Sequence, residues 1–126
     1  MDVYSVAMDM SSEKKISFVV PGPIMGYRAS VARAHDPKYK AYKERVRLCA
    51  LAAGFRFDDE GCRHPVLSVS IYWKRSARID WSNVVKAIED ALWKRDRHVD
   101  PGVFCVFRDS GREEAVVEIA LTRRDR

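Results

Sequence analysis

The stretch Leu67–Leu92, LSVSIYWKRSARIDWSNVVKAIEDAL, contains two apolar patterns of different period. In its first part, apolar and small polar residues alternate, with Leu67, Val69, Ile71 and Trp73 on one side and Ser68, Ser70 and Tyr72 on the other. In its last part, apolar residues recur at helical spacing, at Val84, Val85, Ile88, Ala91 and Leu92. Because a strand repeats every two residues and a helix every 3.6, the stretch predicts a strand followed by a helix.

The residues before this stretch predict another strand and another helix. Apolar residues alternate over 15–20, and Pro21-Gly22-Pro23 ends the pattern, which is typical of a strand. Asp36-Pro37 is a favourable helix start and Gly54 a natural stop. The apolar stripe expected between them consists of Tyr39, Tyr42, Val46, Cys49 and Ala53, which we interpret as core.

Two apolar runs, 103–107 and 115–121, follow the second helix and flank Asp109-Ser110-Gly111. A short turn between two strand-like runs predicts a hairpin. The predicted order is therefore β-α-β-α-β-β. This order predicts a single α+β domain, with one mixed sheet packed against two main helices.

Length and composition favour one globular domain. The chain has 126 residues, 47% of them hydrophobic and 33% charged, which argues against disorder and against a fibrous repeat. We expect an extension at 1–14, a domain at 15–122 and a basic tail at 123–126. No apolar run approaches the roughly 18 residues of a membrane span, and the N-terminus lacks a secretory pattern, so we expect no membrane and a cytoplasmic protein. The three cysteines and three histidines lack metal-ligand spacing, so neither disulfides nor zinc are predicted.

The net charge of +5 permits binding to a polyanion. The side chains that we expect to contact phosphate flank the candidate site around Asp80, on loops and at a strand end, and they are Arg28, Arg33, Lys74, Arg75 and Arg78. A solvated basic face is the alternative interpretation.

Acidic residues and a lysine border the second predicted helix. Asp80 stands just before it, Lys86 lies one turn inside it, and Asp100 precedes the next strand. Such a layout can gather carboxylates and a cation for phosphodiester chemistry with a divalent metal. The alternative from spacing alone is that Asp80 or Ser82 caps the helix.

This region resembles the RusA family of Holliday junction resolvases, in which a DxDN motif precedes a helical Lys, a DAL-like helix end and an acidic pair. The matching positions here are Asp80, Asn83, Lys86, Asp90-Ala91-Leu92 and Asp100. The N-terminal half is also similar, at Val20-Pro21-Gly22-Pro23-Ile24, Gly26-Tyr27-Arg28, Asp36-Pro37-Lys38-Tyr39 and Tyr42-Lys43. The similarity extends roughly from Ile16 to Leu121, and several segments in the right order are more specific than one.

The resemblance implies a small homodimeric endonuclease of DNA recombination and repair that cuts four-way junctions or related branched DNA with Mg²⁺ or Mn²⁺. It implies that Asp80 and Asp100 are metal ligands and catalytic residues. It assigns to Lys86 a catalytic or phosphate-positioning role.

Two positions depart from the family pattern. Ser82 replaces the second Asp of DxDN, and Pro101 replaces the second acid of the pair. Glu89 lies on the helix side away from Asn83, so we do not expect it to replace them. Alternatives to the nuclease are therefore a branched-DNA-binding member with little or no cleavage and a basic protein-interaction domain. For Trp81, base stacking, dimer contact and core packing are all open.

Overall fold

The computed structural model describes residues 13–25, 36–57, 63–75, 80–93 and 99–123. Its elements in chain order are β1 (Glu13–Pro21), α1 (Pro37–Ala52), β2 (Arg63–Tyr72), α2 (Trp81–Leu92), β3 (Asp100–Phe107) and β4 (Glu114–Arg123). The α+β class, the mixed sheet and the two main helices are as predicted. Strand β1 begins at Glu13, inside the expected N-terminal extension.

The described sheet has four strands in the order β1-β4-β2-β3. Strand β4 pairs antiparallel with both β1 and β2, whereas β2 and β3 are parallel. Parallel neighbours need a crossover connection, and α2 provides it between β2 and β3. As a result β4 is a central strand, and β3 lies at an edge.

The predicted hairpin of the last two strands is wrong, because β3 and β4 lie on opposite sides of β2. The connection between them passes over the end of β2 and is bonded to Trp73. The Trp73 amide donates to the Phe107 carbonyl at 2.8 Å, and the Trp73 carbonyl accepts from the Ser110 amide at 3.1 Å. Trp73 at the end of β2 thus bonds both to the end of β3 and to the connection that leads to β4.

The core lies between one face of the sheet and the two helices. The sheet contributes alternate residues of three strands, namely Ile16, Phe18, Val20, Leu67, Val69, Ile71, Ala115, Val117, Ile119 and Leu121. The predicted stripe of α2 is buried in full, at Val84, Val85, Ile88, Ala91 and Leu92. Burial of this apolar area is the main favourable contribution to folding.

Helix α1 begins and ends where the sequence predicts. The Asp36 carboxylate accepts from the amides of Lys38 at 2.8 Å and Tyr39 at 3.4 Å. Gly54 follows the helix with a φ of 98°, which an L side chain rarely adopts. The stripe is partly different from the prediction, because Ala50 is buried whereas Cys49 is half-buried and Ala53 is exposed.

Tyr42 is fully buried, and its hydroxyl has no hydrogen-bond partner among the described residues. Burial raises the pKa of this phenol far above its ordinary value. Because an unsatisfied buried hydroxyl is unfavourable, we expect Tyr42→Phe to raise the free energy of unfolding by about 1 kcal/mol. Urea denaturation measures this, with Tyr72→Phe as the half-buried control. A loss of stability in Tyr42→Phe would show that the hydroxyl is satisfied in solution.

The other face of the sheet carries the remaining alternate residues, which are less buried. Val19, Val103 and Phe107 are exposed large hydrophobic residues on this face. We call it the open face. Neither α1 nor α2 combines the length and apolarity needed to cross a membrane.

Candidate functional site

Asp80 stands at the N-terminus of α2, where its carboxylate is held by the first turn. Ser82 Oγ donates to Asp80 Oδ1 at 2.6 Å, and Asn83 Nδ2 donates to Asp80 Oδ2 at 3.0 Å. The amides of Ser82 and Asn83 are close enough to favour the ionised carboxylate, although none bonds to it in capping geometry. Asp80 thus occupies the N-cap position of α2, as the capping alternative predicts, and its carboxylate accepts hydrogen bonds from the side chains of Ser82 and Asn83.

The Ser82 hydroxyl is the main cause that lowers the pKa of Asp80 below its ordinary value of 3.8. A hydrogen bond to the charged form favours that form, so Asp80 is ionised at neutral pH. We expect Ser82→Ala to raise the Asp80 pKa, as measured by NMR titration of its carboxyl carbon. Ser70→Ala, on the open face, is the matched control. An unchanged Asp80 pKa in Ser82→Ala would contradict the hydrogen bond.

A groove of about 270 Å³ lies between α2, the start of β3 and the middle of β2. Its lining combines apolar and oxygen-bearing side chains, namely Leu67, Trp81, Ser82, Val85, Glu89, Val99, Asp100, Pro101 and Phe104. The Trp81 and Phe104 rings lie 5.6 Å apart in a tilted arrangement. Trp81 is 42% exposed, so core packing is wrong for it. A larger hollow lies at the end of α1, where Arg56 is the only charged lining residue within the described part of the chain.

A β-bulge shapes the floor of this groove. The register of β2 with β3 shifts after Leu67, so that β3 contains one more residue than β2 before Val69 pairs with Phe104. At the bulge the Val103 amide donates to Ser68 Oγ at 3.0 Å, and a Cβ on Gly102 would collide with that oxygen. Bulges of this kind re-aim side chains beside functional sites. Here the bulge lies directly after Asp100 and Pro101.

Glu89 also lines the groove, although sequence analysis discounted it. Burial raises its pKa, while Lys86 lowers it and Asp90 raises it further. The signal that identifies Glu89 is helical spacing. Ser82, Val85 and Glu89 follow one another at intervals of three and four, which places them on one face of α2.

Lys86 lies on the adjoining side of α2 and is exposed. Its Nζ lies 3.8 Å from Asp90 Oδ1. One helical turn separates it from Ser82, and its charge acts on Glu89. Of the described residues proposed as catalytic, only Asp100 lines the groove itself, whereas Asp80 reaches it through Ser82.

The predicted phosphate contacts are only partly described. Lys74 and Arg75 are exposed and follow the end of β2. Because Val66 pairs with Asp100, Tyr72 lies roughly 20 Å from Asp100 along the strands, and these cations lie beyond Tyr72. They do not flank the groove as expected. The remaining predicted contacts, Arg28, Arg33 and Arg78, lie outside the described residues.

The oxygen donors of the groove match the ligand preference of a hard divalent cation. Mg²⁺ is usually held by one or two carboxylates together with substrate phosphate and water. Asp100 and Glu89 provide carboxylates and Ser82 a hydroxyl. Within the described part of the chain, no group of three or more His, Cys, Asp or Glu residues is placed to hold a metal. The groove therefore offers oxygen donors of the type that Mg²⁺ prefers, but fewer of them than a site made of protein ligands alone would need.

No protein-family model matches the chain, and no curated protein matches it either.

Proposed function

We propose that this chain is a RusA-like endonuclease that cuts four-way junctions or related branched DNA with Mg²⁺ or Mn²⁺. The observation that supports this most is the shared groove. Ser82, Asp100 and Pro101 stand at acidic positions of the RusA-like motif, and all three line it. Residues far apart in sequence thus meet where the proposed chemistry needs them.

The roles of the side chains follow from their positions. Asp100 is the proposed metal ligand inside the groove, and Asp80 is the proposed ligand at its rim. Lys86, exposed on the adjoining side of the helix, neutralises charge on the scissile phosphate. Asp100 and Asp80 would hold the metal, which when bound would supply Lewis acidity and an activated water for hydrolysis of the phosphodiester.

A second candidate is a member that binds branched DNA with little cleavage. The observation that favours it is that Ser82 and Pro101 bring no carboxylate into the groove. Fewer acids reduce mutual repulsion but weaken the hold on a cation. A basic protein-interaction domain is the third candidate, because the net charge alone does not select DNA.

We also propose that the protein forms a homodimer, because one small domain offers little surface for binding two related DNA strands. We place this homodimer in the cytoplasm. Sedimentation of the protein with and without a junction tests the dimer. Competition between a four-way junction and a matched duplex tests the preference for branches, which both DNA hypotheses require. Cutting in Mg²⁺ or Mn²⁺ then separates the nuclease from the binding-only member. Equal affinity for junction and duplex, with no cutting, would favour the third candidate.

A further inference from the structure

Three flat side chains form a stack on the open face at the ends of β2 and β3. The Arg112 guanidinium lies 3.7 Å from the centroid of the Tyr72 ring. The Tyr72 ring in turn lies 4.8 Å from the Phe107 ring, with only 13° between their planes. Tyr72 and Phe107 are register partners, so the stack runs across the strands. We call these three residues the aromatic stack.

The stack ends at the edge of the sheet. Strand β3 is an edge strand of the described sheet, and Phe107 is 45% exposed. Tyr72 has Arg112 and Phe107 as neighbours, whereas Phe107 is the last flat group of the row among the residues that the structure describes. An exposed ring that continues an existing stack is suited to another flat group. Every nucleobase has such a face.

Exposed cations lie at this end of the sheet, and one of them, Arg75, has its guanidinium 5.7 Å from the centroid of the Trp73 ring. Lys74, Arg75 and Arg108 are exposed, and the Asp109 amide donates to the Arg75 carbonyl at 3.3 Å, which brings their backbones together. The nearby acids are partly engaged. Glu114 Oε2 lies 3.6 Å from Arg112 Nε, and Glu113 Oε2 accepts from the Ile24 amide at 2.7 Å. Positive charge beside an exposed aromatic ring is complementary to a nucleic-acid strand.

We propose that Phe107 stacks on an unpaired base of single-stranded DNA while Lys74, Arg75 and Arg108 contact its phosphates. This proposal rests on the proposed function for the identity of the substrate, and it adds a second contact to the groove. Phe107 lies on the open face, whereas the groove lies on the face that the helices cover, and Phe107 is roughly 20 Å from Asp100 along β3. Forks and flaps contain unpaired bases, and opening of the pairs at a four-way branch point supplies them there.

Binding of a fluorescent oligothymidylate, followed by anisotropy, tests the proposal. We expect Phe107→Ala and Phe107→Leu to weaken binding about five- to one-hundredfold, because stacking on each base contributes that much. Phe107→Trp should retain wild-type affinity, which also shows that the position tolerates replacement. Val103→Ala is the matched control, since Val103 is an exposed apolar residue of the same strand and face. It should bind like the wild type.

A second measurement does not depend on the stack. Lys74→Gln with Arg75→Gln should reduce the salt slope of binding by about 1.4 for the two lost phosphate contacts. An unchanged slope, or wild-type affinity in Phe107→Leu, would overturn the proposal. Junction cutting without oligothymidylate binding would also overturn it, while the nuclease function stood. Binding that depends on Phe107, in a protein that cuts nothing, would support it and remove the nuclease function.

Discussion

Asp100→Asn is expected to lower the rate of metal-dependent junction cutting by at least about a hundredfold. Asp100 is the proposed metal ligand in the groove, and the loss of one charged ligand removes several kcal/mol of stabilisation of the reacting phosphate. Junction binding should stay within about threefold of the wild type, because less negative charge faces the phosphate. Single-turnover cutting measures the rate, and binding in Ca²⁺ measures affinity.

Glu118→Gln is the control for the loss of one negative charge, since Glu118 is an exposed residue on the open face. It should cut like the wild type. If Asp100→Asn also cuts at the wild-type rate, the groove is not the catalytic site. If both variants cut more slowly than the wild type, the loss of rate comes from the change in net charge and not from the groove.

The second large expected effect is a gain in metal affinity and in the rate of cutting. Ser82→Asp with Pro101→Asp should raise divalent-ion affinity and cutting by about tenfold or more, because both positions line the groove beside Asp100. Two more carboxylates in the groove also repel their neighbours, by about 4 kcal/mol for each pair near 4 Å at an effective dielectric of 20. The variant should therefore melt at a lower temperature in EDTA than the wild type and gain more from added Mg²⁺.

The matched control is Ser82→Asn with Pro101→Asn, which has a similar shape without the charge. It should show neither the gain in cutting nor the larger response to Mg²⁺. A large gain in the acidic variant over a nearly inactive wild type would identify a binding-only protein. No change in metal affinity would contradict the placement of these positions around one ion.

The pH dependence of stability has opposite signs at Asp80, which precedes α2, and at Glu89 within it. Asp80 has a lowered pKa, so its contribution is present above its unfolded-state pKa and is lost as pH falls through the lower folded value. Glu89 has a raised pKa, so its contribution is present below its unfolded-state pKa and is lost as pH rises through the higher folded value. Mild acid therefore favours the folded state through Glu89.

The sequence predicted the helices and strands better than it predicted which strands pair with each other. The alternation of Leu67, Val69 and Ile71 identified a strand and its buried face, because both depend only on local period. Which strands β3 and β4 pair with depends on groups distant in sequence. One of them is Trp73, which bonds to the connection between β3 and β4. Alternation is similar in every strand of this sheet, so it does not specify which strands pair.

For the candidate site too, the sequence indicated individual residues better than it indicated which of them lie together. Asp80 and Asp100 were identified from a motif, and Ser82 and Pro101 as departures from it. Helical spacing places Glu89 on one face of α2 with Ser82 and Val85, but spacing does not show that this face meets the start of β3. That juxtaposition depends on where α2 crosses the sheet and on the bulge after Pro101. Lys74 and Arg75 lie far from the groove, contrary to the prediction, because β2 ends far from the start of β3.

The most direct test of the central claim is incubation of the wild-type protein with a mobile four-way junction in Mg²⁺, in Mn²⁺ and in EDTA. The account predicts paired cuts near the branch point with either metal and none in EDTA, together with tighter binding to the junction than to duplex. A protein that neither cuts the junction nor prefers it to duplex would contradict the account.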